Sequence, residues 1–516
     1  MATYTEHLRD RGAQDLAALL ALRPDLAAPP PASVRALAAR AASRASLERV
    51  LATFDTPTLT VLESVVALDG TVLPAPTAAD VARSLDQDVA DAVRTGLAAA
   101  VLWEDDGLHP CPGLADVLGP YPAGLGPSLG STLMRRSATS LATLAEQTGA
   151  PGVTPEAIAR HLAEPATVHR LLDAAPRGAR EILGALTWGP PVGRSPENAG
   201  PAHSAVGWLL GHGLLSGGDP QHVVLPREPA LVLRAGRTHR LSLDAPGTRP
   251  RDVPATTVDA ESARAAQDVV RLAGGVLAAW GREQPAVLRS GGLGARELRR
   301  LVTRLEVDET TAALVVEVVA AAGLVVDDGQ DPPSFCPTTA SDEWSALPPA
   351  ERWAHLAQAW LGAERAAWLV GTRDDRGALR TALDPESRRP WAPRLRRAVL
   401  GVLAEHGPIP AEQVHEQLAW RTPRAAPALH AVSAVLAEAD ALGVTGAGGL
   451  GAAGRAVLAA AASGSGSTTG TAEIGAALDA LLPPTVDHVL LQGDLTGVVP
   501  GRSGEELDAL LAASAV

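Results

Sequence analysis

Forty-four arginines and no lysine decide which chemistries this chain can attempt. The phosphate-binding loop of nucleotide hydrolases needs a lysine to reach the β- and γ-phosphates. With none in 516 residues that motif is missing, so neither ATP hydrolysis nor helicase activity is expected and the chain is read as a non-enzyme. Two other motifs match by letter. Gly446-Ala-Gly-Gly-Leu-Gly451 fits a dinucleotide fingerprint, but that chemistry needs a parallel βαβ unit, and helices precede it here. A glycine-rich turn is the better reading. Gly126-Pro-Ser128-Leu-Gly130 fits the esterase elbow, yet Pro120, Pro122 and Pro127 crowd it and no His or Asp partner can be assigned. His203, His212 and His222, and likewise His406 and His415, contain no i, i+4 pair on one helix face. Cys111 and Cys336 alone make neither a zinc site nor a disulfide framework. No metal, cofactor or catalytic residue is expected.

The arginines leave one chemistry open, which is phosphate contact. Arg296, Arg299, Arg300 and Arg304 share one predicted helix whose other face is Leu298, Leu301, Val302 and Leu305. Arg394, Arg396 and Arg397, followed by Arg421 and Arg424, form a second basic edge. Smaller clusters are Arg177 with Arg180, and Arg234, Arg237 and Arg240. A guanidinium can grip phosphate or a guanine edge with two hydrogen bonds. Against this stands a net charge of −14 and a pI near 5.4, whereas nucleic-acid binders usually present a basic face. A solvated helix face is the plainer account of each cluster.

These arginines sit on a recurring plan of helices followed by a short hairpin. Residues 47–118 show it best. A helical run over 47–68 breaks near Pro57; Thr77-Ala-Ala-Asp80 is a capping box opening a helix over 81–85; a third helix covers 88–100. Ala100–Trp103 and Leu108–Cys111 then read as strands about an Asp-Gly turn. Three helices and a hairpin make the winged-helix plan. It recurs over 167–234, where helices over 179–186 and 203–212 lead into a hairpin turning at Gly217-Gly218-Asp219. It recurs again over 262–338, with helices over 295–305 and 310–322, and over 391–458, with helices over 395–405, 411–419 and 428–442. In such folds the third helix enters the major groove. Here that helix carries Asp88 and Asp91 in the first copy, and Asp308 and Glu309 in the third. Only the fourth, with Arg421 and Arg424 near its start, suits DNA.

The expected fold is therefore mainly α with short β-hairpins (α+β): tandem winged-helix-like units plus an incomplete C-terminal α/β segment. The boundaries read as an N-terminal helical segment (1–46), winged-helix-like units over 47–120, 167–240, 258–340 and 389–460, a Trp-rich helical connector (341–388) and a flexible Ser/Gly linker (463–472). The remainder, 473–516, begins a further domain. The four tryptophans of the connector, Trp344, Trp353, Trp360 and Trp368, read as packing residues. A polar N-terminus, the absence of an 18-residue apolar run and the sparse cysteines predict a cytoplasmic protein with no membrane partner. The scarcity of Lys, Asn and Ile is the mark of a high-GC genome.

Val489-Leu-Leu-Gln492-Gly-Asp494-Leu-Thr-Gly-Val-Val resembles the opening of the N-terminal domain of XPB-type helicases: a strand, a Gln-x-Asp step and a second apolar strand. The helical stretch over 16–31, Ala-Ala-Arg-Ala-Ala-Ser-Arg-Ala-Ser at 38–46 and the segment over 288–300 are similar to a bacterial helicase-associated family of high-GC organisms that carries this domain. The resemblance implies a motor-free accessory protein of DNA repair or transcription. Its partner would be DNA, an XPB-type helicase or another protein, and its domain opened at Gln492 would be incomplete at Val516. The rival expectation is a protein–protein scaffold or regulator without nucleic-acid contact.

Overall fold

The computed structural model describes residues 3–69, 75–194, 204–219, 221–463, 468–493, 496–503 and 505–514. It is 58% helix and 8% strand, with the strands in small and mostly antiparallel sheets, which makes the chain α+β with helices dominant. Two compact units form, Met1–Ala245 with Ala419–Ala425, and Pro246–Leu418 with Ala426–Val516.

In unit 1 the first helices are α1 (Tyr4–Asp10), α2 (Ala13–Leu22), α3 (Val34–Ala41) and α4 (Arg44–Leu51). Next come α5 (Thr56–Leu68), α6 (Ala78–Leu85), α7 (Ala90–Ala98) and the hairpin β1 (Leu102–Glu104) with β2 (Leu108–Pro110). Thr77 and Asp80 form the capping box that starts α6, each side chain receiving the other's backbone N–H. Leu108 N–H donates to Pro76 O (2.8 Å), so the stretch before α6 lies beside the returning arm of the hairpin. Five helices follow, α8 (Leu114–Leu118), α9 (Leu129–Leu133), α10 (Ala138–Thr148), α11 (Pro155–Leu162) and α12 (Pro165–Asp173). Then α13 (Ala179–Thr187), β3 (Val192–Arg194), α14 (Ala205–Gly211), β4 (Ser216–Asp219) and β5 (His222–Val224) build a three-stranded sheet in the order β3-β5-β4. Helix α15 (Arg227–Leu233) closes the series.

Unit 2 is organised on α16 (Ala255–Arg282), a helix of 28 residues. Val258, Ser262, Ala266, Val269, Ala273, Val276 and Trp280 recur along it at helical spacing and are buried. Helices α17 (Ala295–Leu305) and α18 (Glu309–Ala321) and the hairpin β6 (Val325–Asp327) with β7 (Phe335–Pro337) come next. Val287 N–H donates to Pro333 O and Phe335 N–H to Pro285 O, again laying the stretch before the paired helices along the returning strand. Helices α19 (Thr339–Ser345) and α20 (Pro349–Gly362) bury Trp344, Trp353 and Trp360; Trp353 Nε1 donates to Leu442 O (2.7 Å) and Trp360 Nε1 to Glu438 Oε2 (2.7 Å).

Helices α21 (Ala392–His406), α22 (Ala411–Arg421) and α23 (Leu429–Ala441) lead to β8 (Thr445–Gly446) and β9 (Gly449–Leu450). These two strands are joined through Ala447 and Gly448, both at positive φ, as a two-residue hairpin turn demands. Gly443 and Gly446 pack against the backbone of α16, where an added Cβ would lie 2.4 Å from Ser262 O and 2.3 Å from Val258 O. Helix α24 (Ala452–Ala462) is followed by α25 (Thr468–Asp479), so the linker read over 463–472 is helical from Thr468 onward. The last elements are β10 (Thr485–Val486), pairing in parallel with β13 (Arg502–Ser503), the antiparallel β11 (Leu490–Leu491) and β12 (Gly497–Val498), and α26 (Glu505–Ser514). Among the described residues no helix is long and apolar enough to cross a membrane.

Candidate nucleic-acid interface

Helix α17 carries the first arginine cluster as its spacing requires. Leu298, Leu301 and Leu305 are buried, while Arg296, Arg299, Arg300 and Arg304 are exposed. Arg296, Arg300 and Arg304 are four apart, about 6 Å per step along the axis. Arg300 pairs with Glu297 (3.0 Å) and Glu283 (3.3 Å). Exposed pairs of this kind contribute about 0–1 kcal/mol, so an incoming phosphate can displace them. Arg296, Arg299 and Arg304 meet no carboxylate among the described residues.

The second cluster divides. Arg394 and Arg397 are exposed on α21. Arg396, read as part of the same basic edge, is buried and unavailable to a ligand. Its guanidinium donates to Trp360 O, Ala363 O and Arg365 O, approaches Glu438 Oε2 (3.4 Å) and lies over the rings of Trp360 and Trp368 at 5.2 and 5.6 Å. Burial pushes the Glu438 carboxyl up, against the pull of Arg396. Arg421 ends α22 half-buried, and Arg424 directs both terminal nitrogens at Val117 O (3.3 Å each). Neither begins the following helix, because α23 starts only at Leu429.

The smaller clusters are mostly structural. Arg234 is buried and donates to Thr187 O, Ala123 O, Gly124 O and Thr238 O, and desolvation pushes its pKa down to about 10. Arg240 lies over the Trp188 ring at 4.1 Å, and Arg180 pairs with Asp173 (2.7 Å). Arg177 is exposed.

The helices that follow each paired helix offer no basic face. On α7, Asp91 and Arg94 neutralise one another at 2.7 Å. Helix α18 is buried continuously from Ala312 to Val319. The outer face of α23 is Leu429, His430, Ser433, Ala437 and Asp440.

Neither motif match acquires the surroundings its chemistry needs. Ser128 is the N-cap of the five-residue α9; its Oγ accepts Ser131 N–H (3.2 Å), and no histidine bonds it among the described residues. Gly451 precedes α24, whose Ala452 N–H donates to Asp259 Oδ1 (2.8 Å), so a carboxylate already occupies the place where a phosphate would sit. No group of three or more His, Cys, Asp or Glu able to hold a metal occurs among the described residues. His203 and Asp494 lie outside the described residues. Gln492 is exposed, and its backbone N–H donates to Thr496 O (2.8 Å) between β11 and β12.

Sequence reading missed one hydrolase-like constellation in unit 1, since its members lie 175 and 176 residues apart. His239 Nε2 is 3.1 Å from Glu63 Oε2, and His239 Nδ1 is 3.4 Å from Ser64 Oγ. Ser64 is fully buried on α5 and already bonded to Thr60 O and Thr238 Oγ1. No substrate can approach that hydroxyl, so the network fastens the 238–239 segment to α5.

No family model, no curated protein and no solved structure matches this chain.

Proposed function

We propose that this chain is a non-catalytic, DNA-associated accessory protein that grips nucleic acid by its phosphates rather than reading its bases. The observation that carries this reading is the outer face of α17, where Arg296, Arg299 and Arg304 stand exposed and, among the described residues, without carboxylate partners on a protein of net charge −14. Base reading by a third helix is disfavoured, because α18 is buried and the exposed face of α23 carries no arginine. Tandem winged-helix units remain the best description of the scaffold. In support, the strand order β3-β5-β4 and the pairing of the 285–287 stretch with 333–335 follow the wing arrangement, in which the first strand lies beside the third. The resemblance of the segment over 489–499 to the XPB N-terminal opening agrees with a DNA-related role and with a helicase or other protein as a further partner.

The test is binding to a labelled duplex across a salt series. Each phosphate no longer gripped by an arginine should lower the slope of log K against log salt by about 0.9. The triple variant R296A/R299A/R304A should therefore bind with a slope shallower by roughly 2.7. Absence of duplex binding at about 50 mM salt would sink direct contact with DNA. A protein–protein scaffold would then stand, the reading favoured by the acidic net charge and by the lack of arginine on the outer faces of α18 and α23.

A further inference from the structure

Resting on that reading, we propose that unit 2 also carries a platform for single-stranded DNA, on which unpaired bases stack against Trp391 and Trp368 between exposed arginines. From Ser387 to Arg397 the sequence runs Ser-Arg-Arg-Pro-Trp-Ala-Pro-Arg-Leu-Arg-Arg, five arginines without a carboxylate in a chain that is acidic overall. Trp391 is the residue preceding α21, held between Pro390 and Pro393. Of the ten tryptophans it alone is exposed, at 47%. Its ring stands 6.2 Å from that of Trp368, tilted by 41°.

The pair is built rigidly. Trp368 rests on the buried Arg396 guanidinium, which the carbonyls of Trp360, Ala363 and Arg365 fix in place. Arg394 and Arg397 follow Trp391 at three-residue steps along α21, the spacing that keeps neighbours close on a helix surface. Arg397 also lines an open recess of about 420 Å³ together with His355. A second recess of about 530 Å³ contains Arg365, paired with Glu317 at 2.6 Å, and Arg388. Ala321, Gln358, Ala359 and Gly362 line both, so the two form one trough. Glu364, the one carboxylate lining it among the described residues, is neutralised by Arg388 at 2.8 Å.

Exposed cations beside an aromatic face, as Arg394 and Arg397 follow Trp391, are what unpaired nucleic acid requires: phosphates follow the charge and each base offers a π-face. A duplex keeps those faces inside its stack, so Trp391 discriminates between the two forms. An apolar peptide would have no use for the arginines that edge the trough.

The experiment compares the full chain's affinity for a labelled oligothymidine with that for an abasic strand of equal length. The wild type should prefer the strand with bases by about five- to hundredfold. W391A should abolish the preference and W391F should keep most of it. R394A/R397A should weaken both strands alike and reduce the salt slope by about 1.4, at about 0.7 per phosphate on single strands. Equal affinity for the two strands in the wild type, or a preference that survives W391A, would overturn the platform. Duplex binding and its dependence on Arg296, Arg299 and Arg304 judge the parent reading separately: if those hold while base preference is absent, only the platform falls. If no nucleic acid binds and W391A instead releases a protein partner, both fall.

Discussion

Replacing Arg396 by leucine removes the cation around which the Trp360–Trp368 region of unit 2 is built. The carbonyls of Ala363 and Arg365 lose the guanidinium donor, and that of Trp360 keeps the Ala363 N–H. Glu438 is left buried without its cation, keeping the Trp360 indole N–H on Oε2. Stranding one member of a buried pair costs about 3–5 kcal/mol, and the loss of the guanidinium bonds to Ala363 O and Arg365 O places R396L toward the top of that range. The cost should depend on pH. Burial raises the folded-state pKa of Glu438 above its ordinary 4.5, so its contribution to stability is fully present below about that value and is lost as pH rises through the folded pKa. Without Arg396 the rise is larger, so the deficit of R396L against wild type should widen from acid toward neutral pH. The double variant R396L/E438L, which leaves no charge behind, should recover most of the stability. Urea unfolding followed by near-ultraviolet circular dichroism, with hydrogen exchange of the α21 amides, reads all three effects. A deficit below about 1 kcal/mol, or one that does not change with pH, would refute this account of the pair.

Three further outcomes are expected. Asp308 caps α18 by accepting Thr311 N–H (2.9 Å) and Thr311 Oγ1–H (2.7 Å), bonds that hold its carboxyl below the ordinary 3.8. D308A should cost about 1 kcal/mol in urea unfolding near neutral pH, and the difference should vanish in acid, since a depressed pKa stabilises only above its folded value. Cys111 is buried and its thiol is pushed up to about 12, whereas Cys336 is half-buried. A colorimetric thiol reagent should therefore titrate Cys336 in the native protein and Cys111 only after denaturation. A Cβ at Gly454 would lie 2.1 Å from Val444 O and 2.9 Å from Leu450 Cδ1, so G454A should lower stability by about 1–3 kcal/mol; a neutral result in thermal melts would mean that α24 can slide on the hairpin.

Periodic, strongly amphipathic segments were legible in the sequence. Helix α17 runs from Ala295 to Leu305 as its leucine and arginine spacing predicts, and the Thr77–Asp80 box marks the start of α6. Helix α16 was not delimited, because its buried stripe is largely alanine and valine and contrasts little with an alanine-rich surface. The three-residue strand β3 follows two prolines and has no pattern of its own; β5 alone pairs with it. At the candidate site, composition placed Arg396 with Arg394 and Arg397, yet spacing contained the correction. Arg396 is three and four residues from Val399 and Leu400, on the inward side of α21. The value of Trp391 lay outside local pattern altogether, since it depends on Trp368 arriving beside it from another loop.

The attachment of the β8–β9 hairpin to α16 sets a timetable for synthesis. Ser262 and Ala266 are covered by Gly443 and its neighbours, which emerge roughly 180 residues later. At about 5–20 residues per second, that face of α16 stays uncovered on the growing chain for roughly 10–35 s. During that interval Val258, Ser262 and Ala266 stand without the hairpin that covers them. This stretch of the nascent chain is therefore where a chaperone would be needed most, and where a slowed ribosome would do the most harm.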